Sequence, residues 1–226
     1  MEGEAAHHLG RVLRAQPGQL YELSDGASVW LARVESVGRE RIDFALIEPV
    51  PASKSSLEIS LLLSVIKFDS FEWSLEKATE LGVSRIVPLA AARSEKALLG
   101  ATAKRSERWK RILLEASQQS RRLSVPSLEE LTPIDDAFAN ASGIRILLSE
   151  KSEAASLRDV LNGRSGNLVS LAIGPEGGWT DSEFQAAHAT GFVQASMGQL
   201  ILRAETAVIA ALANLNYALG AHQSVG

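Results

Sequence analysis

Apolar and polar positions follow two different rhythms along this 226-residue chain. The first quarter runs mostly with period two. Within residues 41–47, Ile42, Phe44 and Leu46 alternate with Arg41, Asp43 and Ala45, the pattern of a strand with one buried face. Similar segments at 20–23 and 29–34 precede it, separated by the turn signals Ser24-Asp25-Gly26 and Val37-Gly38-Arg39. A short helix is expected over 7–13. Together these predict a small antiparallel sheet or barrel. Pro49, Pro51 and the Ser53–Ser56 stretch then read as a linker.

From residue 57 the rhythm changes. Apolar runs of strand length, at 57–66, 85–90, 144–148, 168–173 and 192–196, alternate with helix-periodic segments at 70–81, 103–121, 156–161, 181–190 and 204–219. Strand–helix alternation predicts a mostly parallel sheet covered by helices. Gly82 is expected to stop the first of these helices, and Thr180 with Glu183 has capping-box spacing. Gly220 suits the left-handed position just after the last helix. The fold class is therefore α/β, with two domains, 1–56 and 57–226.

Composition narrows the function classes. No apolar run approaches the ~20 residues of a membrane-spanning helix, and the acidic start (Glu2, Glu4) lacks the layout of a secretory signal. Cysteine is absent, which excludes disulfides, thiol nucleophiles and thiolate-bound zinc. A cytoplasmic address with no membrane partner follows by default. His7 and His8 are adjacent, so on a helix they diverge, and no metal site is expected. The net charge of −4 is not that of a basic nucleic-acid binder. Residues 104–122 differ: seven cations, among them Arg108, Arg121 and Arg122, face only Glu107 and Glu115, a local net charge of +5. Such a stripe can meet phosphates, or can be a solvated helix face.

The usual nucleotide-binding and hydrolase signatures are missing. Two loops stand out instead. Ile173-Gly174-Pro175-Glu176-Gly177-Gly178 follows an apolar strand and precedes the capped helix. Three glycines and a proline there allow close approach of the backbone to a ligand beyond the carboxyl end of a strand. A branched side chain at Gly177 is expected to stand where backbone meets ligand. The second stretch, Met197-Gly198-Gln199-Leu200-Ile201-Leu202-Arg203, also joins a strand to a helix. Arg203 opens that helix, where a cation faces the unfavourable end of the dipole, so it has either a partner such as Glu205 or a chemical task.

Taken together, the sequence resembles the RsmE family, the 16S rRNA (uracil-N3)-methyltransferases of the SPOUT superfamily. The resemblance rests on His8 with Val12-Leu13-Arg14, Gly18 and Asp25-Gly26, on Lys77-Ala78-Thr79-Glu80-Leu81-Gly82-Val83, and on Arg108-Trp109, Glu115-Ala116, Gln119-Ser120-Arg121 and Pro126. It continues through Gly174–Gly178 and Ile201-Leu202-Arg203-Ala204-Glu205-Thr206-Ala207. It implies a PUA-like β-barrel that holds RNA, over 1–56, and a trefoil-knotted SPOUT domain over 57–226. It further implies a homodimer, and S-adenosylmethionine (SAM) bound by Ser149, Glu150, residues 173–178, Met197, Gly198, Leu200, Ile201 and Leu202. Arg14, Arg108, Arg121 and Arg122 are the expected RNA contacts, with 16S rRNA in the 30S subunit as partner. Two departures are visible. The family opens with a further short strand, so the barrel here is expected to lack one, and it carries a basic residue at the position of Leu200.

The implied reaction sets chemical demands. N3 lies on the Watson–Crick edge of uracil, so the base must be unpaired or flipped out. As the N3 proton leaves, charge spreads onto O2 and O4, where a fixed cation such as Arg203 would stabilise it. Two other readings stay open at this point: a SPOUT enzyme acting on tRNA or on a ribose 2′-hydroxyl, and a non-catalytic RNA-binding or ribosome-assembly protein.

Overall fold

The computed structural model describes residues 1–26, 28–51, 57–151 and 153–220. The chain divides into two compact units, residues 1–54 and 55–226.

In the first unit, helix α1 (Gly3–His7) runs into a π-helical turn (His8–Val12). The strands β1 (Leu20–Ser24), β2 (Val29–Val37) and β3 (Ile42–Val50) form an antiparallel sheet in the order β1-β2-β3. The helix therefore starts earlier than the sequence suggested, and Met1 to Gly3 run antiparallel to the start of β3 through a bridge between Glu2 and Arg41. Ala6, Leu9, Ala15, Val34 and Ile42 form the small core. Pro49, read from sequence as linker, sits inside β3 opposite Trp30. An edge strand tolerates a proline because the missing N–H is not needed by a neighbour. Residues 52–56, which carry most of the expected linker, lie outside the described residues.

The second unit follows the predicted alternation. Its elements are β4 (Glu58–Ser64), α2 (Phe68–Glu80), β5 (Val83–Ala90), α3 (Lys96–Gln119), β6 (Ser127–Leu128), β7 (Thr132–Pro133), α4 (Ile134–Ala139), β8 (Ile144–Leu148), β9 (Ala155–Ser156), α5 (Leu157–Leu161), β10 (Leu168–Ile173), α6 (Asp181–Ala189), β11 (Val193–Ser196) and α7 (Ala204–Leu219). All pairings in its sheet are parallel, in the order β6-β5-β4-β10-β8-β11-β9 with β7 beside β5.

The two-residue period of the strands sorts side chains to two cores. Ile59, Leu61 and Leu63 of β4 point to a core shared with Phe71, Leu75, Trp109, Val208, Leu212 and Leu215, under α2, α3 and α7. Leu62 points to the opposite core, with Phe138, Trp179, Phe184 and Phe192, under α4 and α6. A sheet covered on both faces explains why its strands read as continuous apolar runs.

Two helix ends differ from expectation. Helix α3 begins at Lys96, seven residues ahead of the start expected from sequence, through Gly100, whose weak helix propensity hid the first turns. Gly220 ends α7 in an extended conformation (φ −63°), not the left-handed one. Gly82 does take the left-handed conformation, at φ +89°, directly after Leu81, the C-cap of α2. The Thr180–Glu183 capping box is present at the start of α6.

Candidate functional site

Parallel strands β10, β8 and β11 lie side by side, so their carboxyl ends open onto one region. Such ends are where open α/β sheets bind ligands. The three loops that leave them, together with the start of α7, enclose a cavity of about 410 Å³. Its lining includes Ser149 and Glu150 after β8, Ile173, Gly174, Pro175, Glu176, Gly177 and Gly178 after β10, and Met197, Gly198, Leu200, Ile201 and Leu202 after β11. Leu148, Trp179, Ala195, Gln199, Arg203, Ala204 and Ala207 complete it. Residues from Leu148 to Ala207 are thus brought to one wall.

Local bonds fix each loop. The Ser149 N–H donates to the Ala195 carbonyl at 2.9 Å, extending the β8–β11 pairing by one step. The Ser149 hydroxyl then accepts from the Lys151 N–H, turning the chain outward at Glu150. Trp179 is buried, and its indole N–H donates to the Leu148 carbonyl at 2.9 Å, tying the glycine loop to the end of β8. Glycine at 174 is required by that indole: a Cβ would lie 3.0 Å from Trp179 Cε2. Gly178 has φ +69°, and a Cβ there would lie 2.6 Å from Glu150 Oε1. Trp179 was not singled out from the sequence. Its place directly after the glycines was the available signal.

The Gly177 expectation needs correction. A Cβ at this position points at Arg93, 3.1 Å from its Cβ, and Arg93 is not part of the cavity lining. A side chain at 177 would press on Arg93, the outer brace of the loop.

The chemistry of the lining suits SAM. Leu148, Ile173, Met197 and Leu202 offer apolar walls to an adenine ring, and the carboxylates of Glu150 and Glu176 complement a sulfonium and an ammonium. Among the described residues the backbone N–H groups of Glu176 and Gly177 have no hydrogen-bond partner, so they are available to a bound ligand.

Arg203 stands at the N-cap of α7 with extended backbone, exposed, on the cavity lining. Among the described residues it makes no ion pair, with Glu205 or any other acid. A helix N-terminus is an unfavourable place for a cation. The salt bridge with Glu205 that would have given it a structural task is not made.

The expected RNA contacts are more dispersed. Arg14 is exposed at φ 52°, after the π-helical turn of the first unit. Arg121, also at positive φ (55°), is exposed just beyond α3. Arg108 grips Glu72 through Nε and Nη2 at 2.8 Å, and Arg105 reaches the same carboxylate at 3.3 Å. Arg122 has a structural task instead: its Nη1 donates at 2.7 Å to both the Thr79 and Val83 carbonyls, sealing the end of α2. Burial there pulls the pKa of its guanidinium below the ordinary value.

Comparison with known proteins places this geometry. A family model described as RNA methyltransferase domain matches residues 53–216, and one described as RNA methyltransferase PUA domain matches residues 2–47. The chain is 34% identical to ribosomal RNA small subunit methyltransferase E of Synechocystis sp., over 93% of this chain and 70% of that protein. It is 28% identical to the protein of the same name from Rickettsia conorii, over 96% of this chain and 87% of that one. Among solved structures, ribosomal RNA small subunit methyltransferase E from Neisseria gonorrhoeae bound to S-adenosyl methionine superposes with a TM-score of 0.89 at 30% identity, covering 99% of this chain and 92% of that one. A putative methyltransferase from Legionella pneumophila, in complex with SAM, gives 0.85 at 31% identity, covering 96% and 90%. The likeness spans both units and the three loops of the cavity, and the chain belongs to the ribosomal RNA small subunit methyltransferase E family.

Proposed function

We propose that this protein transfers a methyl group from SAM to N3 of a uridine in the 16S rRNA of the 30S subunit, in the cytoplasm and as a homodimer. The single observation that carries the reading is the convergence of the loops after β8, β10 and β11 on one cavity, in a chain whose relative of known structure is bound to SAM. In this reading residues 1–56 are the PUA-like RNA-binding domain and linker. Residues 57–226 are the SPOUT domain, whose cavity loops form its trefoil knot.

SAM, when bound, supplies an electrophilic methyl carbon. The remaining work belongs to this chain. Ser149, Glu150, Ile173 to Gly178, and Met197 to Leu202 without Gln199 hold the adenosine and methionine parts. Arg203, on the lining and without an ion pair among the described residues, stabilises the negative charge that appears on the uracil oxygens as the N3 proton passes to water and the methyl group leaves the sulfonium, which becomes a thioether. Arg14, Arg108 and Arg121 meet RNA phosphates. The homodimer is supported by Leu200, Ile201 and Tyr217, which are 81%, 85% and 80% exposed and apolar enough to favour a covering surface. Leu200 stands where the family usually carries a basic residue, so here that position contributes apolar area and no charge.

The test is nucleoside analysis of 16S rRNA from a strain lacking the gene. N3-methyluridine should vanish and return with the wild-type gene but not with Arg203→Ala. Unchanged N3-methyluridine in the deletion strain would overturn the assignment.

A further inference from the structure

Gly177 and Trp179 are held from outside the cavity by a residue of a different element. Arg93, in the short connection between β5 and α3, donates from one guanidinium nitrogen to the Gly177 carbonyl at 2.7 Å and to the Trp179 carbonyl at 3.2 Å. The connection is itself anchored. The Ser94 hydroxyl donates to the Val65 carbonyl at 2.7 Å, and the Ala92 N–H donates to Glu183 Oε1 at 2.8 Å. Glu183 is 6% exposed, and its other oxygen accepts from the Thr180 N–H at 2.7 Å.

A trans peptide is a rigid plane with its C=O and N–H at opposite edges. The plane joining Gly177 to Gly178 gives its C=O to Arg93 and its N–H to the Pro175 carbonyl at 2.8 Å. The plane joining Trp179 to Thr180 gives its C=O to Arg93 and its N–H to Glu183. Both planes are thus pinned at both ends, and each depends on Arg93 for one of them. The plane between Glu176 and Gly177, whose N–H has no partner among the described residues, hangs from this fixed frame.

We propose that Arg93 is a positioning residue for the SAM site: it touches no cofactor and acts by fixing the peptide planes of the glycine loop. The proposal rests on the assignment of the cavity to SAM. Lysine would be an imperfect substitute: an ammonium can also serve two carbonyls, but the lysine stem is one atom shorter than the reach to Arg93 Nη1 and lacks the planar guanidinium that fixes that nitrogen's direction.

The test is calorimetric titration of SAM into the purified full-length chain as wild type, Arg93→Ala, Arg93→Lys and Ala207→Phe. Circular dichroism is recorded for each. Arg93→Ala should bind SAM about 10-fold more weakly, equivalent to about 1.4 kcal/mol, and Arg93→Lys should recover only part. Millimolar guanidinium ion should strengthen SAM binding by Arg93→Ala and leave the wild type unchanged, a response that general destabilisation would not produce. Wild-type affinity in Arg93→Ala, or a loss that guanidinium does not relieve, would overturn the proposal. Ala207→Phe fills the cavity itself. If it binds SAM as the wild type does, the cavity assignment fails. If it abolishes binding while Arg93→Ala does not weaken it, only the role of Arg93 fails.

Discussion

Replacing Gly178 with alanine separates two reasons for a glycine in the cavity wall. The residue has φ +69°, where an L side chain crowds the following carbonyl at a cost of roughly 1–2 kcal/mol. Independently, the new Cβ would lie 2.6 Å from Glu150 Oε1, and that carboxylate must move. Glu150 is exposed, so it can swing away at little cost to stability, but it then leaves its place on the cavity lining. Gly178→Ala should therefore unfold about 1–2 kcal/mol more easily, a fall of very roughly 2–8 °C in Tm for a chain of this size, and should bind SAM more weakly. In a Glu150→Ala background the steric part is gone. The same Gly178→Ala step should then lower Tm by the same amount while causing little further loss of SAM affinity. Urea denaturation and calorimetry on the four variants measure both quantities. If Gly178→Ala keeps wild-type stability, the backbone argument is wrong. If its effect on SAM affinity is identical with and without Glu150, the contact between them has no functional consequence.

Other substitutions test other parts of the account. Arg203→Ala should lower kcat about 100-fold, roughly 2.7 kcal/mol of barrier, with SAM and RNA affinities nearly unchanged. Arg203→Lys should restore part of the rate, and single-turnover rates equal to wild type would remove Arg203 from the chemical step. Arg122→Ala should cost about 1–3 kcal/mol of stability by removing the side-chain donor shared by the Val83 and Thr79 carbonyls, of which Thr79 keeps only the Gly82 N–H among the described residues, whereas Arg121→Ala should flatten the salt dependence of 30S binding by just under one unit of slope. A reversed outcome would exchange their assigned roles. Trp179→Phe should destabilise the chain by about 1–3 kcal/mol, because the buried Leu148 carbonyl loses its partner. Wild-type stability would show that the indole hydrogen bond does not hold the two loops together.

Much of this arrangement is written in local signals. Strands β8 and β10 begin and end where their apolar runs do, and the capping box at Thr180 marks α6, because such features need only neighbouring residues. The cavity loops were legible for the same reason: a glycine cluster between a strand and a helix marks a backbone shaped for a tight turn or a close approach. What the sequence hid is what depends on distant partners. Arg122 looked like one more cation of a basic stripe, because nothing nearby reveals that the Thr79 and Val83 carbonyls will meet it across the fold. Arg93 and Trp179 lie outside the glycine run, and their importance appears only once β5 and β10 share a sheet. Helix α4 and the two-residue strands are too short for any period to emerge. Pro49 announces a break in sequence, yet an edge strand accommodates it.

The central claim is methyl transfer to N3 of a uridine in the small ribosomal subunit. It is tested most directly by incubating the purified protein with methyl-labelled SAM and 30S subunits from the deletion strain, with free tRNA in a parallel reaction, and mapping the label by mass spectrometry of nucleosides. The account predicts label in N3-methyluridine from 16S rRNA and none in tRNA. Label on a ribose 2′-hydroxyl or in tRNA, or no transfer by a protein that binds both SAM and the subunit, would contradict it.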